Sequence, residues 1–160
     1  MTSSLFDERF VFLNQTYKNK DEIIRRLGSS METFQCAKAG YTDELLKREK
    51  IAPTALSFHS RGVALPHIHD AYVTTSKIGV LTLTNPVPFK QMGAPNKGIP
   101  VSIVCLLGIK NEQLAKEAVY QLLTKLQDHA FLLTLCSLSS SKEAVQLLNK
   151  WLLEQEEELK

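Results

Sequence analysis

His67 is the residue of this chain best suited to covalent chemistry, because of what precedes it. The run Gly62-Val63-Ala64-Leu65-Pro66-His67 is apolar and of strand character, and it delivers an imidazole directly behind a proline. Proline fixes its own φ, disfavours helix for Leu65 and lacks an N–H, so the chain must reach His67 extended. Near neutral pH an imidazole is partly or wholly neutral, and one ring nitrogen can attack an electrophile while a hydrogen bond holds the other. Two other readings compete. His67 could be an ordinary polar residue at the edge of a turn. Alternatively, His67-x-His69-Asp70 sets two imidazoles at i, i+2 beside a carboxylate, a pattern that can begin a zinc site and hence a metal-dependent hydrolase. Such a hydrolase needs further ligands downstream, and the only later histidine, His129, sits beside an expected helix start.

The elements that must position His67 read as an alternating α/β pattern. Phe10 to Leu13 forms a short strand, and Asn19 with Glu22 three residues on has capping-box spacing. Ile23, Ile24, Leu27, Met31 and Phe34 then fall on one helical face. Thr42 caps a second helix, with Asp43 and Glu44 in its first turn and Lys47, Arg48 and Lys50 in its last, each sign complementing the helix dipole. Pro53 closes it. Residues 54–66 are extended or hairpin-like, Ile78 to Leu83 is a strand, and Asn85 to Gly98, rich in Pro, Gly and Asn, is a loop. Ile99 to Ile109 is apolar nearly throughout, as a central strand covered on both faces would be, with Gly108 and Ile109 at the rim of the site.

Further on, Leu114, Ala118, Val119, Leu122, Leu123 and Leu126 form the stripe of a helix, and a helical segment lies around Phe131 to Leu135. The last helix opens on Ser140 and Glu143 and buries Val145, Leu147, Leu148, Trp151 and Leu152. Helices alternating with strands around one long apolar strand predict an α/β fold, a central sheet flanked by helices on both faces. No linker or repeat divides residues 1–160, so the expectation is a single domain.

Composition narrows the function classes. With 160 residues, 44% hydrophobic and 22% charged, the chain is of ordinary globular type. A net charge of +2 with dispersed Lys and Arg gives no nucleic-acid signal. No segment reaches the ~18 apolar residues of a spanning helix, and residues 1–8 do not look like a signal peptide, so the expectation is a soluble, cytoplasmic protein with no direct membrane insertion. Cys36, Cys105 and Cys136 are widely spaced, without a disulfide or metal pattern. No Gly-x-x-x-x-Gly-Lys or Gly-x-Gly-x-x-Gly run is present, and no cofactor is expected.

The Pro66-His67 run resembles the active-site segment of the type-2 EIIA domains of the bacterial sugar phosphotransferase system, where a Gly-Ile-Ala-Ile-Pro-His-like run carries the phosphorylated histidine. Arg48-Glu49 followed by Pro53-Thr54 resembles the family's Arg-Glu helix end and Pro-Thr continuation, at a similar spacing before the Pro-His pair. The likeness extends from about residue 10 to about residue 155. It implies a mixed central sheet and a phosphocarrier function. His67 would take a phosphoryl group on Nε2 from the phosphohistidine of HPr and pass it to a cysteine of the cognate EIIB, which serves a membrane EIIC permease.

In that frame Arg48 is the cation facing the phosphoryl oxygens, since a guanidinium fork fits phosphate geometry, although its position also suits a helix-end base. Gln113 stands near where the fructose and mannitol branches carry a second histidine; an amide can still donate to a phosphoryl oxygen, and the exchange points to the galactitol-like branch. His59 and Arg61, on the neighbouring extended segment, are possible supporting residues for the site or plain loop residues. The expected function is therefore sugar transport, with galactitol or a related polyol as substrate. The alternative within the same fold is a regulator that reports its phosphorylation state by binding other proteins.

Overall fold

A long hairpin organises the sheet. The computed structural model describes residues 5–58 and 61–158, with 152–158 by backbone alone. Strands β4 (Lys77–Gln91) and β5 (Ala94–Gly108) pair antiparallel from Lys77↔Gly108 to Gln91↔Ala94, around a turn where Gly93 has φ +77°. Strand β1 (Val11–Gln15) lies parallel to β4, and β3 (Arg61–Ala64) lies parallel to β5. Strand β2 (Ala55–Phe58) pairs antiparallel with β3 and meets the far end of β4 at Ala55↔Gln91. The pairing β4–β5–β3–β2 thus returns to β4, made possible by the irregular register of β4 between Thr82 and Val87.

Both faces of the sheet are covered. Along β5, Val104 and Leu106 point into one core and Ile103, Cys105 and Leu107 into the other, the period-two alternation of a strand buried on both sides. The first core is closed by α1 (Lys20–Thr33) and α2 (Tyr41–Ile51) through Ile23, Ile24, Leu27, Met31, Tyr41 and Leu45. The second is closed by α3 (Glu112–Leu126), α4 (His129–Ser137) and α5 (Ser141–Glu158) through Leu122, Leu126, Leu132, Leu135, Leu148 and Trp151. The expected α/β class, a mixed sheet with helices on both faces, is what forms. No helix among the described residues is long and apolar enough to cross a membrane.

Local expectations fail where distant groups outcompete local ones. Thr42 does not cap α2. Gly40 occupies the cap position, and the Glu32 carboxylate at the end of α1 accepts from Gly40 N–H (3.3 Å), from Thr42 N–H (3.1 Å) and from the Thr42 hydroxyl. Asn19 caps α1 as expected, accepting from Glu22 N–H at 3.0 Å, while the Glu22 carboxylate reaches back to Lys18 N–H. Phe34 ends α1 half-exposed, edge-on to Phe10 and beneath the Arg9 guanidinium, and Leu114 is 54% exposed rather than part of the buried stripe.

The segment from Asn85 to Gly98 is not a loop. It completes β4 and begins β5, with Val87 and Phe89 buried on alternate positions. Pro88 pairs with Pro100, and the Pro100 carbonyl lies against Gly62 of β3, so the polar edge of Pro100 points away from β4 and the β4–β5 ladder demands no donor from the pair. Leu152 of the expected last-helix stripe lies outside the described side chains.

Candidate active site

Beyond β3 the chain stays extended through Leu65 and Pro66, both buried, and emerges at half-buried His67. The segment is pinned twice. Leu107 N–H of β5 donates to the Pro66 carbonyl at 3.1 Å, and Leu65 N–H donates to Thr54 Oγ1 at 3.0 Å. The imidazole is oriented by its own backbone, because His67 Nδ1 lies 2.7 Å from the Leu65 carbonyl oxygen. A carbonyl only accepts, so Nδ1 carries the proton and a neutral ring keeps its lone pair on Nε2. Pro66 contributes by fixing its own φ, which restricts how the chain passes from the carbonyl of residue 65 to residue 67.

Arg48 and Glu49 are adjacent but diverge at the end of α2. Arg48 is exposed, whereas Glu49 is 3% exposed and turned into the protein. Its carboxylate accepts from Thr54 N–H (3.0 Å) and from the Thr54 hydroxyl (2.8 Å). Desolvation pushes the Glu49 carboxyl above its ordinary value of 4.5, opposed by the two Thr54 hydrogen bonds and by nearby Lys20 and Arg48. Between the unfolded value and this raised folded value the native state holds more of the proton, so stability falls as pH rises through that window. Denaturant titrations between about pH 4 and pH 7 should show wild type losing stability relative to Glu49→Gln as pH climbs above 4.5.

A cavity of about 320 Å³ gathers Arg48, His67, Ile68 and His69 on one side with Glu112, Ala115, Lys116 and Val119 of α3 on the other. Arg48 and His67, 19 positions apart in sequence, therefore share one site. Gln113 does not line it. Residues 112, 115, 116 and 119 share a helical face, and Gln113, about 100° round from Glu112, is exposed beside that face. Lys116 is the residue that sequence reasoning missed; its signal was helical spacing from Glu112, one turn beyond the amide.

The remaining expected site residues fall elsewhere. Arg61 stands at the opposite end of β3, separated from His67 by up to ~20 Å of extended chain, where its charge acts on the half-buried Cys136 thiol of α4. It is not brought to the cavity. His59 lies outside the described residues. Gly108 and Ile109 are buried and do not line the cavity, contrary to the expected rim position. His69 lies 5.8 Å from the ring of Tyr72. Among the described residues no three His, Cys, Asp or Glu side chains gather in a way that could hold a metal ion. An imidazole whose Nδ1–H is committed to a carbonyl, sharing an open cavity with the cations Arg48 and Lys116 and with the Glu112 carboxylate, is suited to taking up an anionic electrophile.

Residues 4–151 match the family model of the phosphoenolpyruvate-dependent sugar phosphotransferase system, EIIA 2. The chain is 26% identical over 148 residues to the galactitol-specific EIIA component of the phosphotransferase system of Escherichia coli strain K12, covering 92% of this chain and 97% of that one. Enzyme IIAMTL, solved in complex with phosphorylated enzyme IIBMTL from Escherichia coli, superposes with a TM-score of 0.73 at 21% identity over 91% of this chain and 97% of its own. The nitrogen regulatory protein IIA-Ntr from Neisseria meningitidis gives 0.71 at 25% identity, covering 90% and 96%. With the family model spanning nearly the whole chain and the fold in common, this protein belongs to the type-2 EIIA family and is a phosphotransferase component of the phosphoenolpyruvate-dependent sugar phosphotransferase system.

Proposed function

We propose that His67 is the phosphoryl carrier. Its Nε2 attacks the phosphorus of the phosphohistidine on HPr; the new N–P bond forms as the donor's N–P bond breaks, and the donor imidazole leaves. A cysteine thiolate of the cognate EIIB then attacks the same phosphorus and His67 is regenerated. The observation that carries this reading is the 2.7 Å bond from Nδ1–H to the Leu65 carbonyl, which reserves the lone pair of the neutral ring for Nε2. Intact mass and site mapping after incubation with phosphoenolpyruvate, Enzyme I and HPr test it.

The transferring group spreads its charge over three oxygens, so cations at the cavity wall are the natural stabilisers. Arg48 fills that role, with Lys116 of α3 as a second cation and Gln113 on the neighbouring face. Arg48→Ala should slow transfer about 10- to 100-fold, with stability within about 0.5 kcal/mol because the residue is exposed. Lys116→Ala should slow it more than Gln113→Ala. Equal transfer rates for all three variants and wild type in a quenched-flow assay would remove the cations from the mechanism.

The relative named for galactitol supports galactitol or a related polyol as the transported sugar, and the neighbour solved in complex with phosphorylated enzyme IIBMTL supports an EIIB as acceptor; the proposal places this carrier in the cytoplasm with a membrane EIIC behind it. A regulatory role is the second reading, favoured by the likeness to IIA-Ntr. The acceptor separates them: a transport component discharges its label onto an EIIB, and a regulator changes partner affinity while keeping it.

A further inference from the structure

We infer that Glu49 and Thr54 are positioning residues that hold the His67 imidazole in its reactive orientation and tie it to the helix end bearing Arg48. The inference rests on reading His67 as the phosphoryl acceptor. A chain of hydrogen bonds carries it. Leu65 N–H donates to Thr54 Oγ1 (3.0 Å), the Thr54 hydroxyl donates to Glu49 (2.8 Å), and His67 Nδ1–H donates to the carbonyl of that same Leu65 (2.7 Å). Glu49 and Thr54 are each 3% exposed, so no water-facing alternative competes for these partners.

The direction of every bond is forced. An ionised carboxylate only accepts, so it takes both the Thr54 N–H and the Thr54 O–H, and the oxygen lone pairs of the threonine are left for Leu65 N–H. Glutamine at position 49 cannot reproduce this pattern. One of its two ends is an NH₂, which would face one of the two Thr54 donors.

The effect is geometric rather than electronic. Leu65 N–H belongs to the peptide joining residues 64 and 65, while the carbonyl that orients His67 belongs to the peptide joining 65 and 66. Polarisation of the first does not pass by resonance to the second. Thr54 instead fixes where Leu65 sits, and Leu65 fixes the ring. Because Glu49 follows Arg48 directly, the same anchor sets the separation of the nucleophile from its cation. Small misplacements of a reacting pair are costly to rate.

The test is a single-turnover assay with phospho-HPr at varied concentration, together with the ¹⁵N signature of the His67 tautomer in unphosphorylated protein, for Thr54→Val, Thr54→Ser and Glu49→Gln. Thr54→Val should lower the rate at saturating phospho-HPr about 10-fold or more with an unchanged half-saturating concentration, and should mix the two ring tautomers. Thr54→Ser, which keeps the hydroxyl, should restore both. Should Thr54→Val not fold, Glu49→Gln carries the same expectations. A variant that only melts earlier, with wild-type saturating rate and a pure Nδ1–H tautomer, would overturn the inference. The tautomer readout needs no phosphoryl transfer, so wild type that takes no label would end the phosphocarrier reading while this one is still judged on the ring.

Discussion

Alanine at position 67 is expected to give a folded protein that accepts no phosphoryl group at all. The His67 ring is half-buried at the end of an extended segment, and its Nδ1–H donates to the backbone carbonyl of Leu65. Removing it opens space at a cavity that water already reaches, so the stability change should stay within about 1 kcal/mol. Activity should behave differently, because the proposed covalent intermediate forms on the ring that the substitution removes. His69, in the same cavity, makes the result sharp. Site mapping must place the wild-type label on residue 67, stable in base and lost in acid as a phosphoramidate is. A label found on His69, or one that persists in His67→Ala, would move the nucleophile two residues along the chain.

The second large effect is expected at Gly62, far from any chemistry. A Cβ there would lie 2.2 Å from the Pro100 carbonyl oxygen and 2.8 Å from Ile99 Cγ2, distances that only movement of backbone can relieve. Strand β3 sits against β5 at this point with its register already irregular between Gly62 and Val63. Gly62→Ala should therefore cost about 2–3 kcal/mol, the upper range for overpacking, and lower the melting temperature by about 5–10 °C. It should also slow transfer, since β3 leads straight into Leu65 and His67. A melting temperature within about 1 °C of wild type would mean that the two strands separate without loss.

Much of this was legible before any coordinates. The apolar run of β5 announced a strand buried on both faces, and Pro66-His67 singled out the proposed nucleophile. Those are statements about consecutive residues, which sequence carries well. The prolines and glycines between 85 and 98 suggested a loop, yet Val87 and Phe89 already stood at alternate positions between Pro86, Pro88 and Lys90. Period-two patterning outweighed turn composition because Pro88 and Pro100 fall opposite each other. Capping of α2 was hidden for a different reason: its acceptor, Glu32, belongs to the preceding helix. Thr54 was hidden likewise. Its hydroxyl bonds a residue 11 positions on and a carboxylate 5 positions back, and neither spacing belongs to any helix or strand period. Lys116 rather than Gln113 lines the cavity with His67 through the phase of α3, which is set by how Leu122 and Leu126 pack below.

The return of the strand pairing to β4 also decides how little of this sheet another chain could extend. Of its outer ladders, β1 is five residues long, irregular between Phe12 and Gln15, and carries Asn14 at φ +55°. The other, β2, is four residues long, and its first, Ala55, already accepts from Met92 N–H at 2.8 Å. Short, kinked and partly occupied edges make poor templates for strand addition, the contact from which domain swapping and fibrils grow. For the carrier proposed here, which other chains would dock on and leave repeatedly, such edges give a second copy little backbone to pair with.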